Sequence, residues 1–164
     1  MVASVATGQP DRQERPLNPN QTLNDALQEM RGDPPSSIPL VVRLLENPAS
    51  PIALPGKIDL YRHDCLHVLL SQGFSLDNEA FVLGFTMGND TSTRGYHLTV
   101  FKLCSRLLYA PPYRFERSHF EAFDRGFLWG QDLAAKNLNT FDFEACKHQT
   151  VGELRQHLGL DMAG

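Results

Sequence analysis

Apolar residues recur at three- and four-residue intervals along most of this 164-residue chain, broken by short polar stretches that mark helix ends. Residues 1 to 18 are the exception: polar, with Pro10 and Pro16 and no period, they are expected to be a disordered leader. That leaves 19–160 as a single helical domain. Thr22 and Asp25 resemble a capping box ahead of Leu23, Ala26, Leu27 and Met30, and Gly32, Pro34 and Pro35 end that helix. Ser37 can cap a short second helix from Pro39 to Glu46, with its proline in the first turn where one is tolerated. Asn47 to Pro55 holds three prolines and is a loop.

Lys57 to Ser71 is apolar on most of its helical surface, which predicts a central helix closed by Gly73. Ser75 or Asp77 then caps a helix from Glu79 to about Met87. Periodicity alone would allow a strand over Ala80 to Met87, and the cap decides for helix. A further helix is predicted from Thr93 to about Tyr109, stopped by Pro111 and Pro112. Ser118 with Glu121 opens the longest helix, to about Lys136, and Thr150 with Glu153 opens a last one ending near Gly159. No strand–turn–strand pattern appears. The predicted fold is all-α, a compact bundle of about six to eight helices.

Composition narrows the classes. One core suits this length, and 41% hydrophobic content is ordinary for a globular domain. A net charge of −4 with scattered Lys and Arg argues against nucleic acid as a partner. Cys65, Cys104 and Cys146 lie far apart without CxxC spacing, which points to a reducing compartment and away from a cysteine-only zinc site. No apolar run reaches the roughly 18 residues a membrane span needs. The N-terminus has no basic-then-apolar signal, and Asp11 and Glu14 speak against a transit peptide. A cytoplasmic location is expected, with contact at the inner-membrane surface left open, because that needs only an apolar patch. A homodimer is left open too.

The candidate chemistry lies in the central helix. His63, Asp64 and His67, followed after eleven residues by Glu79, sit in a stretch that is otherwise apolar (Leu66, Val68, Leu69, Leu70, Phe74, Leu76, Phe81, Val82). Unpaired charge is costly to bury, so these groups need a reason, and a divalent cation is the simplest. At 100° per residue, His63, His67 and Asp64 fall at about 0°, 40° and 100°, on one face, with Cys65 turned away at about 200°. A turn containing Gly73 can bring Glu79 over that face. Two imidazoles with one or two carboxylates suit Zn²⁺, Fe²⁺ or Mn²⁺, and a carboxylate-dominated variant could hold Mg²⁺. Three or four protein ligands leave coordination positions open, as in catalytic rather than structural sites. Asp64 is a ligand or an outer partner of one. The competing reading is that paired histidines at this spacing arise often by chance and serve only as hydrogen-bonded core residues.

Other histidines are weaker candidates: His97 belongs at the core edge, and His148 and His157 in solvent. Gly126 and Gly130 form a GxxxG pattern beside Phe123, Phe127 and Trp129. In a soluble helix this usually means close packing; the functional version is that the glycines make room for an apolar ligand. On that version Leu66, Leu70, Phe123, Gly126, Phe127 and Gly130 would line an apolar groove beside the metal.

The stretch Arg62-His63-Asp64-Cys65-Leu66-His67-Val68-Leu69, with Glu79 at its eleven-residue gap, resembles the signature of the coenzyme Q (ubiquinone) biosynthesis protein 4 family. A second match runs from Phe123-Asp124-Arg125-Gly126 through Ala134 and Lys136 to Phe143-Glu144. It ends in Thr150-Val151-Gly152-Glu153-Leu154-Arg155 and Leu158-Gly159-Leu160, so the resemblance covers roughly residues 20 to 160. It implies an all-helical fold, metal binding at His63, Asp64, His67 and Glu79, and a hydrophobic groove accepting a polyprenyl chain. It further implies a membrane-associated assembly with other quinone-biosynthesis proteins, and oxidative decarboxylation of a prenylated ring precursor. The chain is shorter than typical members, mostly on the N-terminal side, where their membrane-docking helices and partner surfaces are placed. The leader lacks a mitochondrial presequence pattern, so a bacterial origin is expected, with plastoquinone, menaquinone or another prenyl lipid as the end product.

Three function classes follow. The first is a metal-dependent protein acting on a prenylated quinone precursor. The second is a non-catalytic prenyl-lipid-binding or scaffold protein whose metal grips a head group. The third, ranked well below, is a metal-dependent hydrolase: HDxxH is one methylene from the HExxH of zinc peptidases, but the shorter acid moves the base.

Overall fold

The computed structural model describes residues 18–30, 49, 54–107 and 114–162. The leader up to residue 17, the helix predicted over 39–46 and most of the proline-rich loop lie outside the described residues. Among the described residues there are seven α-helices and no strand, as the all-α pattern predicts. None of these helices is long and apolar enough to cross a membrane.

Local chemistry sets most of the helix ends. In α1 (Leu23–Glu29) the Thr22 hydroxyl accepts from Asp25 N, and in α2 (Leu60–Leu69) the Asp59 carboxylate accepts from Arg62 N. Thus α2 starts three residues after Lys57, because Asp59 is the first side chain able to cap it. In α3 (Leu76–Asn89) Ser75 is the cap, and the helix outruns the expected Met87 by two residues. Next comes α4 (Gly95–Leu107). The long helix α5 (Arg117–Asp132) is not capped by Ser118 and Glu121; it begins at Glu116, whose N–H donates to His119 Nδ1 at 2.8 Å. It also stops four residues short of Lys136. Buried Asn89 takes over there, donating to the carbonyls of Gly130 and Ala135 and accepting from Leu138 N at 2.8 Å. A four-residue helix, α6 (Phe143–Cys146), has no counterpart in the sequence reading. The last helix, α7 (Val151–Leu158), has the expected Thr150–Glu153 capping box and ends at Gly159 as expected, with that glycine in the left-handed region.

Two clusters share α3 as a common wall. One gathers Leu23, Leu66, Leu69, Phe85, Phe143, Leu154 and Leu158 from α1, α2, α3, α6 and α7. The other packs Ala80, Leu83 and Met87 of α3 against Phe101 of α4, Phe115, and Phe123 of α5. Between α3 and α5 the backbones touch. A Cβ placed on Gly84 would lie 2.0 Å from Phe123 O, and one on Gly126 would lie 2.0 Å from Phe81 O. Gly88 and Gly130 repeat the arrangement one turn on, against Phe127 O and Phe85 O. Two GxxxG faces therefore interlock, and any side chain there would have to separate the helices.

Candidate metal centre

The end of α2 and the start of α3 meet across a short turn, and that turn brings the distant acid onto the histidine face. His63 and His67 stand one helical turn apart, their ring centroids separated by 4.5 Å. Glu79 occupies the fourth position of α3, in its first turn, where the positive end of the helix dipole favours a carboxylate. His63 Nε2 lies 3.3 Å from Glu79 Oε2, His67 Nε2 lies 3.5 Å from Glu79 Oε1, and the two Nε2 atoms are 3.4 Å apart. These three side chains form a group that could hold one metal ion.

His67 is fully buried and held on two sides. Its Nδ1 is 2.8 Å from Gly73 O, and its ring packs on Phe74 with centroids 4.8 Å apart. A carbonyl only accepts, so Nδ1 carries a proton, and Nε2 is the atom that faces the site. Gly73 thus contributes its carbonyl, while the chain reversal expected of it falls to Ser71, in the left-handed region at φ 55°. Asp64 is not among the converging ligands. Its Oδ1 lies 3.7 Å from His63 Nδ1, behind the ring, where it favours a proton on that nitrogen and leaves Nε2 for the site.

Electrostatics tie the group together. Burial disfavours a charged His63, but the facing Glu79 carboxylate, with Asp64 behind, outweighs it and pushes the imidazole up to about 10. Burial would raise Glu79 too; the neighbouring His67 and His63 overcome this and hold the carboxyl well below its usual range. A positive charge is therefore wanted between these rings and the carboxylate, and either a proton or a cation can supply it. The Glu79 and Asp64 side chains are each 28% exposed, so the site is closed on the His67 side and open to solvent on the carboxylate side.

The six groove residues do not gather on one groove. Leu66 and Leu70 are buried in the cluster shared with α1 and α7, and Phe123 is buried in the other. Gly126 and Gly130 are closed against the α3 backbone, which is the packing version of their pattern. Phe127 lines a cleft of about 420 Å³ at the far end of α3, with Asn89, Arg94, Leu98 and Lys136. His97 is half-buried and accepts from Arg94 N at 2.9 Å, while His148 and His157 are exposed. The sequence places Gly73 in the turn and Phe74 in the apolar stretch, but gives neither its contact with His67. A backbone acceptor six residues beyond a histidine leaves no residue-type signal.

Compared with models of protein families, with curated proteins and with solved structures, the chain matches none.

Proposed function

We propose that the protein works in prenylquinone biosynthesis, using a divalent cation held by His63, His67 and Glu79 to hold or act on a prenylated quinone precursor. The observation that carries this reading is the convergence of three side chains: the two Nε2 atoms are 3.4 Å apart, and Glu79 sets one carboxylate oxygen 3.3 Å from His63 Nε2 and the other 3.5 Å from His67 Nε2. Ligands about 2.0–2.1 Å from a tetrahedral ion lie about 3.3–3.4 Å from one another, so the spacing is compatible with Zn²⁺. Two imidazoles make Mg²⁺ the least suited of the four candidates, with Fe²⁺ and Mn²⁺ between. Asp64 is then an outer partner of His63 rather than a fourth ligand.

When bound, the cation would supply Lewis-acid chemistry toward the ring carboxylate of a precursor; oxidative decarboxylation would need Fe²⁺ or Mn²⁺ in place of Zn²⁺, with dioxygen as the oxidant. The chain's own residues fix the imidazole tautomers, exclude water from the His67 side and leave the carboxylate side open. The quinone assignment is supported by the resemblance of the HDxxH and Glu79 pattern to the coenzyme Q family. Contact with a membrane surface has a separate support. On α4, Tyr96, Val100, Leu103 and Leu107 are exposed at helical spacing, beside Lys102 and Arg106 and with no acidic residue in the helix.

Elemental analysis and lipid mass spectrometry on the purified protein test both parts. A stoichiometric cation together with a prenyl lipid is expected, and conversion of a prenylated hydroxybenzoate would separate catalysis from mere holding. Wild-type protein that carries no cation and no lipid would contradict the proposal.

A further inference from the structure

The turn that positions His67 is tied down from outside the site. Helix α2 ends with Ser71 N–H donating to Val68 O at 3.1 Å and Gln72 N–H donating to His67 O at 2.9 Å. This is the double hydrogen bond that closes a helix through a left-handed residue, a position usually given to glycine. Here the residue is Ser71, at φ 55°, where an L side chain is strained. What glycine could not supply is the hydroxyl. Arg155 of α7, 84 positions away in sequence, donates from Nη1 to Ser71 Oγ at 2.6 Å. Arg155 is in turn aligned by Asp161, with Nε 3.3 Å from its Oδ1. Two residues past Ser71, Gly73 O receives the Nδ1 proton of buried His67. His67 is therefore bound to the same turn twice, through its own carbonyl and through its ring.

We infer that Arg155 is a positioning residue for the metal centre: by holding Ser71 it fixes the Ser71–Gly73 turn, and through Gly73 O the tautomer and direction of the His67 ring. The inference rests on the metal reading of His63, His67 and Glu79. Partners one step from a ligand change metal affinity by about 10- to 100-fold, and Arg155 acts one step further out. Its removal should weaken Co²⁺ binding by about threefold to tenfold.

Arg155→Met, Arg155→Lys and Ser71→Gly separate positioning from bulk stability. Ser71→Gly relieves the left-handed strain, so its melting temperature should equal or exceed that of the wild type. Its Co²⁺ affinity should nevertheless fall, with altered visible d–d bands, and Arg155→Met should do the same. Arg155→Lys, which can still donate to Ser71, should recover part of the loss. A second readout needs no metal. In ¹H–¹⁵N spectra of the metal-free protein the wild-type His67 should show an Nδ1 proton protected from exchange, and in Arg155→Met that exchange should speed up at least tenfold. Wild-type Co²⁺ affinity and spectra in both Arg155→Met and Ser71→Gly would overturn the inference, as would unchanged His67 exchange. If wild-type protein bound no Co²⁺, the metal reading would fall, and the exchange result would still decide whether Arg155 positions His67.

Discussion

The two faces of α3 are built on opposite terms. Toward α5, Gly84 and Gly88 meet Gly126 and Gly130, and the backbones are in contact with no room for a methyl group. Toward α2, at its first turn, α3 offers Glu79 to two imidazoles, and the ligand atoms stand 3.3–3.5 Å apart. The first face derives its stability from close packing and asks nothing of charge. The second places like-sized polar groups where a proton or cation must sit among them. Changes on the glycine face should therefore cost folding, and changes on the histidine face should cost binding.

The largest effect is expected at Gly126. Alanine there would set its Cβ 2.0 Å from Phe81 O, so the helices must part. The loss should be about 4 kcal/mol or more, a large share of the roughly 5–15 kcal/mol that holds a domain. Urea denaturation of Gly126→Ala beside Gly95→Ala gives the contrast. Nothing lies within 4 Å of a Cβ at Gly95, and that variant should be unchanged or slightly more stable.

On the other face, Glu79→Gln keeps the shape and removes the charge. Metal affinity should fall by about 100-fold or more, while far-UV circular dichroism stays that of the wild type. Cation at about 100 times the wild-type Kd should add about 2.7 kcal/mol to wild-type stability and no more than about 0.4 kcal/mol to this variant. A Glu79→Gln protein that is unfolded rather than unable to bind would erase the distinction between the faces.

The pH response should be smaller and has a definite sign. The Glu79 carboxyl is depressed from its ordinary 4.5, so its contribution is present above that value and lost as pH falls. His63 is raised from 6.5 to about 10, so its contribution is full below 6.5 and lost as pH climbs toward 10. Metal-free protein should draw most from this pair between pH 4.5 and 6.5. Metal must displace the His63 proton, so cation affinity should rise as pH increases above that window. Melting curves across pH, with and without Zn²⁺, check both slopes, and His63→Ala should flatten the upper one. Asp64→Asn should have the mildest effect, about tenfold in affinity with little change in folding.

How much of this was readable in the sequence depends on how local the signal is. The caps at Thr22 and Thr150 and the left-handed Gly159 are short-range, and the helices they bound appear where expected. The start of α5 was misassigned because His119, an unusual capping partner, answers Glu116 two residues before Ser118. Its early end depends on Asn89, 41 positions from Gly130, which no window on α5 contains. Four residues, the length of α6, are too few for periodicity to register.

At the site, helical spacing alone put His63 and His67 on one face, and Glu79 needed only a turn to join them. Asp64 lay within the same arc, and only the real side-chain directions place it behind His63. The groove was misplaced for a different reason. Gly126 and Gly130 announce a close approach without naming what approaches, and their partners Gly84 and Gly88 sit on a helix singled out for its acid.

The central claim is that His63, His67 and Glu79 bind one divalent cation. Calorimetric titration of metal-free protein with Zn²⁺, run beside the His63→Ala/His67→Ala double variant with its fold checked by circular dichroism, tests it most directly. One equivalent bound by the wild type and none by a folded double variant is the predicted result. Wild-type protein that binds no Zn²⁺, or a double variant that binds it unchanged, would contradict the account.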